Sequence, residues 1–202
     1  MTIKKIEIKN SNYYDDKFLK FGNSIKSVGW SNSKDQFLRF EYLFKGINFT
    51  NKKILDVGCG FGDLVEFLRL KVGNNFSYLG IDISKNMIKQ AKKNYFGDHI
   101  NFKNINLNSL SNLDIDISVL SGALTYNHSS QTNLANYMIK KMYDISKDSA
   151  SLNFLSSYSD YQLKKNIHYQ PEKIFKYSKK ISKKVNIFHD YDLFEFTIQL
   201  FK

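Results

Sequence analysis

Apolar residues recur along this chain with two alternating periods. Ile54, Leu55 and Val57 form a short run that reads as a buried parallel strand, and the following LVEFLRL (64–70) returns to helical spacing. Phe76 to Asp82 is a second apolar run closed by an acid. Ser84 is placed to N-cap a helix with Met87, Ile88 and Ala91 on one face. Ile100 to Asn106 alternates as a third strand, Asp114 to Ser121 reads as a fourth and Ala150 to Ser157 as a fifth, with the amphipathic Leu134 to Ile145 between the last two. Pro171 opens a helix through Ile181. Val185 to His189 and Phe194 to Phe201 then read as two final strands around a short Asp190-Tyr191-Asp192 turn. Residues 1–50 carry helical patches, above all Asp35 to Phe44. Strands alternating with helices over 51–202 predict an α/β sheet, and the chain shows no repeat, low-complexity tract or linker that would divide it.

The chemistry concentrates where the first strand ends. In ILDVGCGFGDL (54–64), Gly58, Gly60 and Gly62 let the backbone turn sharply and approach a ligand closely. A dinucleotide site has the spacing GxGxxG and a helix N-terminus aimed at a diphosphate. Here the third glycine comes one residue early and Asp56 precedes the first by two. An acid there would repel a diphosphate and suits a cofactor that carries positive charge. The segment closely resembles motif I of the class I S-adenosylmethionine-dependent methyltransferases, an acid, any residue and GxGxG; Asp56, Gly58, Gly60 and Gly62 match it. DVGCG, with Cys59, is a common form of that motif. An ordinary glycine-rich turn or a true dinucleotide site is the competing reading of these residues taken alone.

The resemblance extends along the chain. Asp82 closes the second strand about 20 to 25 residues beyond the glycines, where an acid accepts the ribose hydroxyls of an adenosyl group. As motif II, YLGIDIS (78–84) implies Asp82 as the ribose ligand and Ile83 packed on the adenine. After the third strand, family members usually place an Asp that accepts from the adenine amine. Here the position is Asn106, followed by Leu107; an amide oxygen can accept from that amine, with one less charge-assisted bond. After the fourth strand, many members carry an acid or amide facing the methyl group. Ser121-Gly122 stands there instead, which puts direct carboxylate catalysis in doubt. The resemblance implies a Rossmann-like, mostly parallel seven-stranded sheet in the order 3-2-1-4-5-7-6, with S-adenosyl-L-methionine as cofactor and S-adenosyl-L-homocysteine as product.

Catalysis of methyl transfer is mainly positioning, with a base where the acceptor must lose a proton. His128, with Tyr126 beside it on the loop after the fourth strand, is the first candidate; an exposed loop histidine without a role is the alternative. Residues 1–50 are expected to form a helical lid over the domain of residues 51–202. Within the lid, Arg39 is a candidate for the methionine carboxylate and Trp30 for the acceptor, against a surface helix residue and a packing anchor. Tyr158 and Tyr169 are further acceptor-site candidates on later loops.

Composition narrows the picture. The 202 residues suffice for one core, no apolar run approaches the ~18 residues of a membrane helix, and the N-terminus lacks a signal-peptide apolar segment, so a cytoplasmic protein is expected. A single cysteine excludes an internal disulfide and a cysteine zinc cluster, and no metal site is expected. The net charge of +11 invites a nucleic-acid reading, but only Arg39 and Arg69 among thirty basic residues are arginine. Base readers favour arginine, so the cluster Lys176 to Lys184 reads first as a solvated helix face. The (D/N)PP(Y/F) motif of amino-methylating DNA enzymes is missing, since Pro171 is the only proline. A small-molecule acceptor attacked at oxygen or nitrogen leads, with an anionic one compatible with the charge. Methylation of RNA or protein, and a non-catalytic cofactor-binding partner subunit, are the alternatives.

Overall fold

The computed structural model describes residues 3–24, 27, 32–110, 114–126 and 131–202. Seven strands form a single sheet: β1 (Lys52–Val57), β2 (Phe76–Asp82), β3 (Ile100–Asn104), β4 (Ile115–Leu120), β5 (Ser146–Leu155), β6 (Lys184–Phe188) and β7 (Glu195–Phe201). Their order is β3-β2-β1-β4-β5-β7-β6, with β7 antiparallel to both β5 and β6 and the other pairs parallel. The sheet is the one the family resemblance implies. The strand order reverses between β1 and β4, and open α/β sheets bind ligands at the carboxyl ends of the strands at such a point.

Among the described residues, six α-helices accompany the sheet: α1 (Ile3–Phe21), α2 (Ser33–Leu43), α3 (Leu64–Val72), α4 (Lys85–Asn94), α5 (Gln131–Ile145) and α6 (Pro171–Ile181). Alternation along each strand divides the core into two layers. Leu55, Val57, Ile81, Leu120 and Leu152 pack with Leu134, Ile139 and Met142 of α5 and Ile174 of α6. Ile54, Tyr78, Phe102, Ile117 and Val119 point the other way, against Phe40 and Leu43 of α2, Phe67 and Leu68 of α3, and Ile88 and Ala91 of α4. Burying both faces of β1 is what makes its sequence read as a continuous apolar run.

Local signals behave as expected where they are strong. The Ser84 hydroxyl accepts from Met87 N at 3.1 Å and starts α4, and Pro171 occupies the first turn of α6. The predicted closing hairpin is present as β6 and β7. Its loop docks back onto α2: Tyr191 stacks on Tyr42 with ring centroids 3.9 Å apart and shares a hydrogen bond with Thr197. The third strand is shorter than predicted, because the backbone leaves the sheet at Asn104 and Asn106 caps a 3-10 turn over Leu107–Ser109. Among the described residues, no helix is long and apolar enough to cross a membrane, and no three potential ligands gather to hold a metal.

Candidate active site

The glycine turn is built against the end of β2. Gly58, Gly60 and Gly62 have φ of 74, 55 and 83°, a region that strains any side chain with a Cβ. The amides of Gly58 and Cys59 both donate to Ile81 O, at 2.8 and 3.0 Å, so the turn is strapped to the neighbouring strand. A Cβ on Gly58 would come within 2.6 Å of Ala123 Cβ, and one on Gly62 within 2.7 Å of the Phe102 ring. The first glycine therefore brings β1 against the loop after β4, and the third lets the turn pack on β3.

Asp82 is held rather than loose at the tip of β2. Gly60 N donates to its Oδ2 at 3.0 Å and Ser84 N to its Oδ1 at 2.8 Å, which leaves each oxygen one further lone pair for a ligand hydroxyl. Burial pushes its carboxyl up from the usual range, and those two amide bonds pull the other way. Asp56 lies deeper, 4% exposed, and accepts from the Tyr78 hydroxyl at 2.7 Å. Burial raises it to about 7, opposed by the Tyr78 bond and assisted by the charges of Asp82 and Asp63. The same burial, with Asp56 and Asp82 nearby, raises the Cys59 thiol, so this cysteine keeps its proton and is not a reactive nucleophile.

These residues face an open-mouthed cavity at the carboxyl ends of β1, β2 and β4. Of the cofactor ligands proposed from sequence, Asp56, Gly58, Gly60, Asp82, Ile83, Asn106, Leu107 and Ser121 all line it. Gly62 and Arg39 do not. The Arg39 guanidinium, 4% exposed, forms a two-pronged ion pair with Glu195 of β7, its Nε 2.7 Å from Oε2. Asn153 Nδ2 also donates to Glu195 at 2.9 Å, while Asn153 Oδ1 accepts from Gly122 N at 3.0 Å, so the pair braces the loop after β4.

The acceptor-site candidates fall elsewhere. Tyr126 stacks on Tyr13 of α1 at 4.1 Å, beside the cavity rather than in its lining. Tyr169 is buried against Phe154 and donates to Leu124 O at 3.1 Å, a packing role, and Tyr158 is 66% exposed. His128 and Trp30 lie outside the described residues. What the sequence reading missed is the inner face of α1: Glu7, Asn10 and Tyr14 line the cavity. The helix is fastened beside it by Ser11 Oγ donating to Ile83 O at 3.3 Å and Ser84 Oγ to Asp15 at 2.5 Å. The i, i+3, i+7 spacing of Glu7, Asn10 and Tyr14 was the available signal, but polar residues on a ligand-facing stripe leave no apolar period to read.

The fit to S-adenosylmethionine is a matter of donors and charge. Gly58 and Gly60 offer close backbone, Asp82 retains acceptor capacity for a ribose, and Ile83 and Leu107 offer apolar surface for a base. Glu7, Asp56, Asp63 and Asp82 line the cavity, and no lysine or arginine does so among the described residues, an environment that suits a sulfonium.

Comparisons with known proteins agree. Residues 54–149 match a family model described as a methyltransferase domain. A Mycobacterium tuberculosis (strain ATCC 25618 / H37Rv) protein named "Putative methyltransferase Rv1506c" is 32% identical over 154 residues, covering 72% of this chain and 90% of that protein. Among solved structures, magnesium protoporphyrin IX methyltransferase from Synechocystis PCC 6803 with bound SAH superposes with a TM-score of 0.68 at 14% identity, covering 100% of both chains. The plantazolicin methyltransferase BpumL, in complex with a monoazolic desmethylPZN analog and SAH, superposes with a TM-score of 0.64 at 16% identity over 99% of this chain and 97% of that one. With the glycine turn, the sheet order and the Rv1506c relationship in agreement, this chain belongs to the class I S-adenosylmethionine-dependent methyltransferases.

Proposed function

We propose that the enzyme methylates oxygen or nitrogen of a small molecule held between the glycine turn and the inner face of α1. The observation that supports this reading is the contribution of α1: Glu7, Asn10 and Tyr14 line the cavity, and Ser11 and Asp15 bond Ile83 and Ser84 beside it, an arrangement that favours a compact acceptor over a polymer. Residues 1–50 then act as the lid of a methyltransferase domain over 51–202. The names of two structural neighbours, a magnesium protoporphyrin IX methyltransferase and a plantazolicin methyltransferase, keep company with such a reading. Four carboxylates in the lining favour an uncharged or amine-bearing acceptor over the anionic one suggested by net charge.

When bound, S-adenosylmethionine supplies an electrophilic methyl group. We assign its ribose to Asp82, its adenine to the apolar surface of Ile83 and Leu107, and its methionine portion to the backbone of Gly58 and Gly60. The protein's own work is to align the acceptor and exclude water, which supplies much of the acceleration of a displacement reaction. Tyr14 bonds Thr125 beside the loop after β4, and burial pushes its hydroxyl up to about 12. It therefore keeps its proton at neutral pH. Where the acceptor must lose a proton, His128, two residues beyond Tyr126, is the base we assign.

RNA or protein methylation is the second reading, favoured by the net charge of +11. The test is incubation with methyl-labelled S-adenosylmethionine and separated cell fractions, followed by mass spectrometry. Label is expected in the small-molecule fraction, and label confined to RNA or protein would overturn the proposal. His128→Ala is expected to lower turnover about 100-fold or more with S-adenosylhomocysteine affinity within about twofold.

A further inference from the structure

The side-chain oxygen of Asn106, two residues past β3, is already engaged. Asn106 Oδ1 accepts from Ser109 Oγ at 3.0 Å and from Ser109 N at 3.1 Å, an N–H it shares with Asn106 O, so the amide oxygen is engaged within the turn. Its orientation is set by that network, because a reversed amide would turn its NH₂ onto the backbone N–H of Ser109. Asn106 Nδ2 accordingly faces the other way and donates to Glu7 Oε2 at 3.2 Å. The amide that stands where family members present a carboxylate to the adenine amine therefore shows the cavity a donor.

An acceptor is supplied from α1 instead. Glu7 of α1 is 8% exposed and lines the cavity, and its second oxygen, Oε1, is buried with no hydrogen-bond partner among the described residues. One turn along the same face, Asn10 is 6% exposed and its Oδ1 is likewise buried and unmet. Buried acceptors without partners are rare and destabilising, and two on one stripe of a cavity-lining helix mark a surface that awaits a donor. Loss of water around Glu7 also raises its carboxyl above the ordinary range. A bound adenine offers an exocyclic amine with two hydrogens, and the bond from Asn106 ties Glu7 to the adenine end of the cavity.

We propose that Glu7 accepts the hydrogen bond of the cofactor's adenine amine, taking from the lid the role that Asn106, its oxygen engaged, does not fill. The assignment rests on the S-adenosylmethionine reading of the site. It also makes α1 part of the cofactor site, so that closing the lid and recognising the base are one event.

Titration calorimetry with S-adenosylhomocysteine, and with its analogue carrying hydrogen in place of the 6-amino group, tests this. The wild type is expected to prefer the amine by about tenfold or more, the scale of one charge-assisted hydrogen bond. Glu7→Met, similar in length but without an oxygen, should lose that preference by weakening the adenine ligand alone. Glu7→Gln, which keeps one acceptor, should retain an intermediate preference. An unchanged preference in Glu7→Met would overturn the assignment. Equal loss of both ligands would do so as well, by making Glu7 a strut of α1. A wild type that binds both ligands equally would also refute it, and one that binds neither would overturn the cofactor reading itself.

Discussion

Asp56 is the residue whose chemistry is most sharply altered by where the fold places it. From sequence it is a strand-end acid suited to a cationic cofactor; in the structure it is buried at about pKa 7, facing Tyr78 and Cys59, with Asp63 and Asp82 as neighbouring carboxyls. A carboxyl in that position is part neutral at physiological pH and becomes an anion as pH rises through its folded value. The ionised form attracts a sulfonium and is indifferent to the neutral thioether of the product. The affinity of S-adenosylmethionine relative to S-adenosylhomocysteine should therefore rise between about pH 6 and about pH 8, by about threefold or more. Asp56→Asn should flatten the trend. Tyr78→Phe should move it to higher pH, since the hydroxyl that pulls Asp56 down is gone. Calorimetry with both ligands across that range is the check, and a ratio that stays level in the wild type would remove Asp56 from the electrostatics of the site.

Elements differ in how much of them could be read from the chain. The strands and the helices behind them were legible because each buries an apolar face, and a period of two or 3.6 survives in the sequence. Asp82 and the glycines were legible because a turn against a ligand demands those residue types. The placement of α1 was not, since the face it turns to the cavity is Glu7, Asn10 and Tyr14, and its purpose appears only once Asn106 is found to have its oxygen engaged. The ion pair of Arg39 was hidden for a related reason: its partner Glu195 lies 156 residues away, on the last strand of the chain. That pair joins α2 to β7 inside the protein, where removing one charge strands the other. Arg39→Met should cost about 3 to 5 kcal/mol in chemical denaturation, and pairing it with Glu195→Leu should recover most of that. If Arg39→Met instead left stability intact and abolished cofactor binding, Arg39 would return to the site as a cofactor ligand.

Across the whole molecule, two basic helix faces contrast with the acidic lining of the cavity. Lys85, Lys89, Lys92 and Lys93 of α4 and Lys173, Lys176, Lys179 and Lys180 of α6 are exposed, while the cavity lining carries Glu7, Asp56, Asp63 and Asp82. On α6 the lysines lie opposite the buried stripe of Ile174 and Ser178, as a solvated helix face does. Such an exterior gathers polyanions weakly and without regard to sequence, through counterion release. The acidic interior gives a phosphate no reason to follow. RNA retention should therefore fall steeply between about 50 and about 300 mM salt, whereas turnover of a small acceptor should change by less than about twofold. Replacing Lys173, Lys176, Lys179 and Lys180 with Gln should remove the RNA retention and leave turnover in place. If turnover fell in step with retention, across both the salt series and the variant, the basic exterior would be the acceptor's docking surface and the substrate a polyanion.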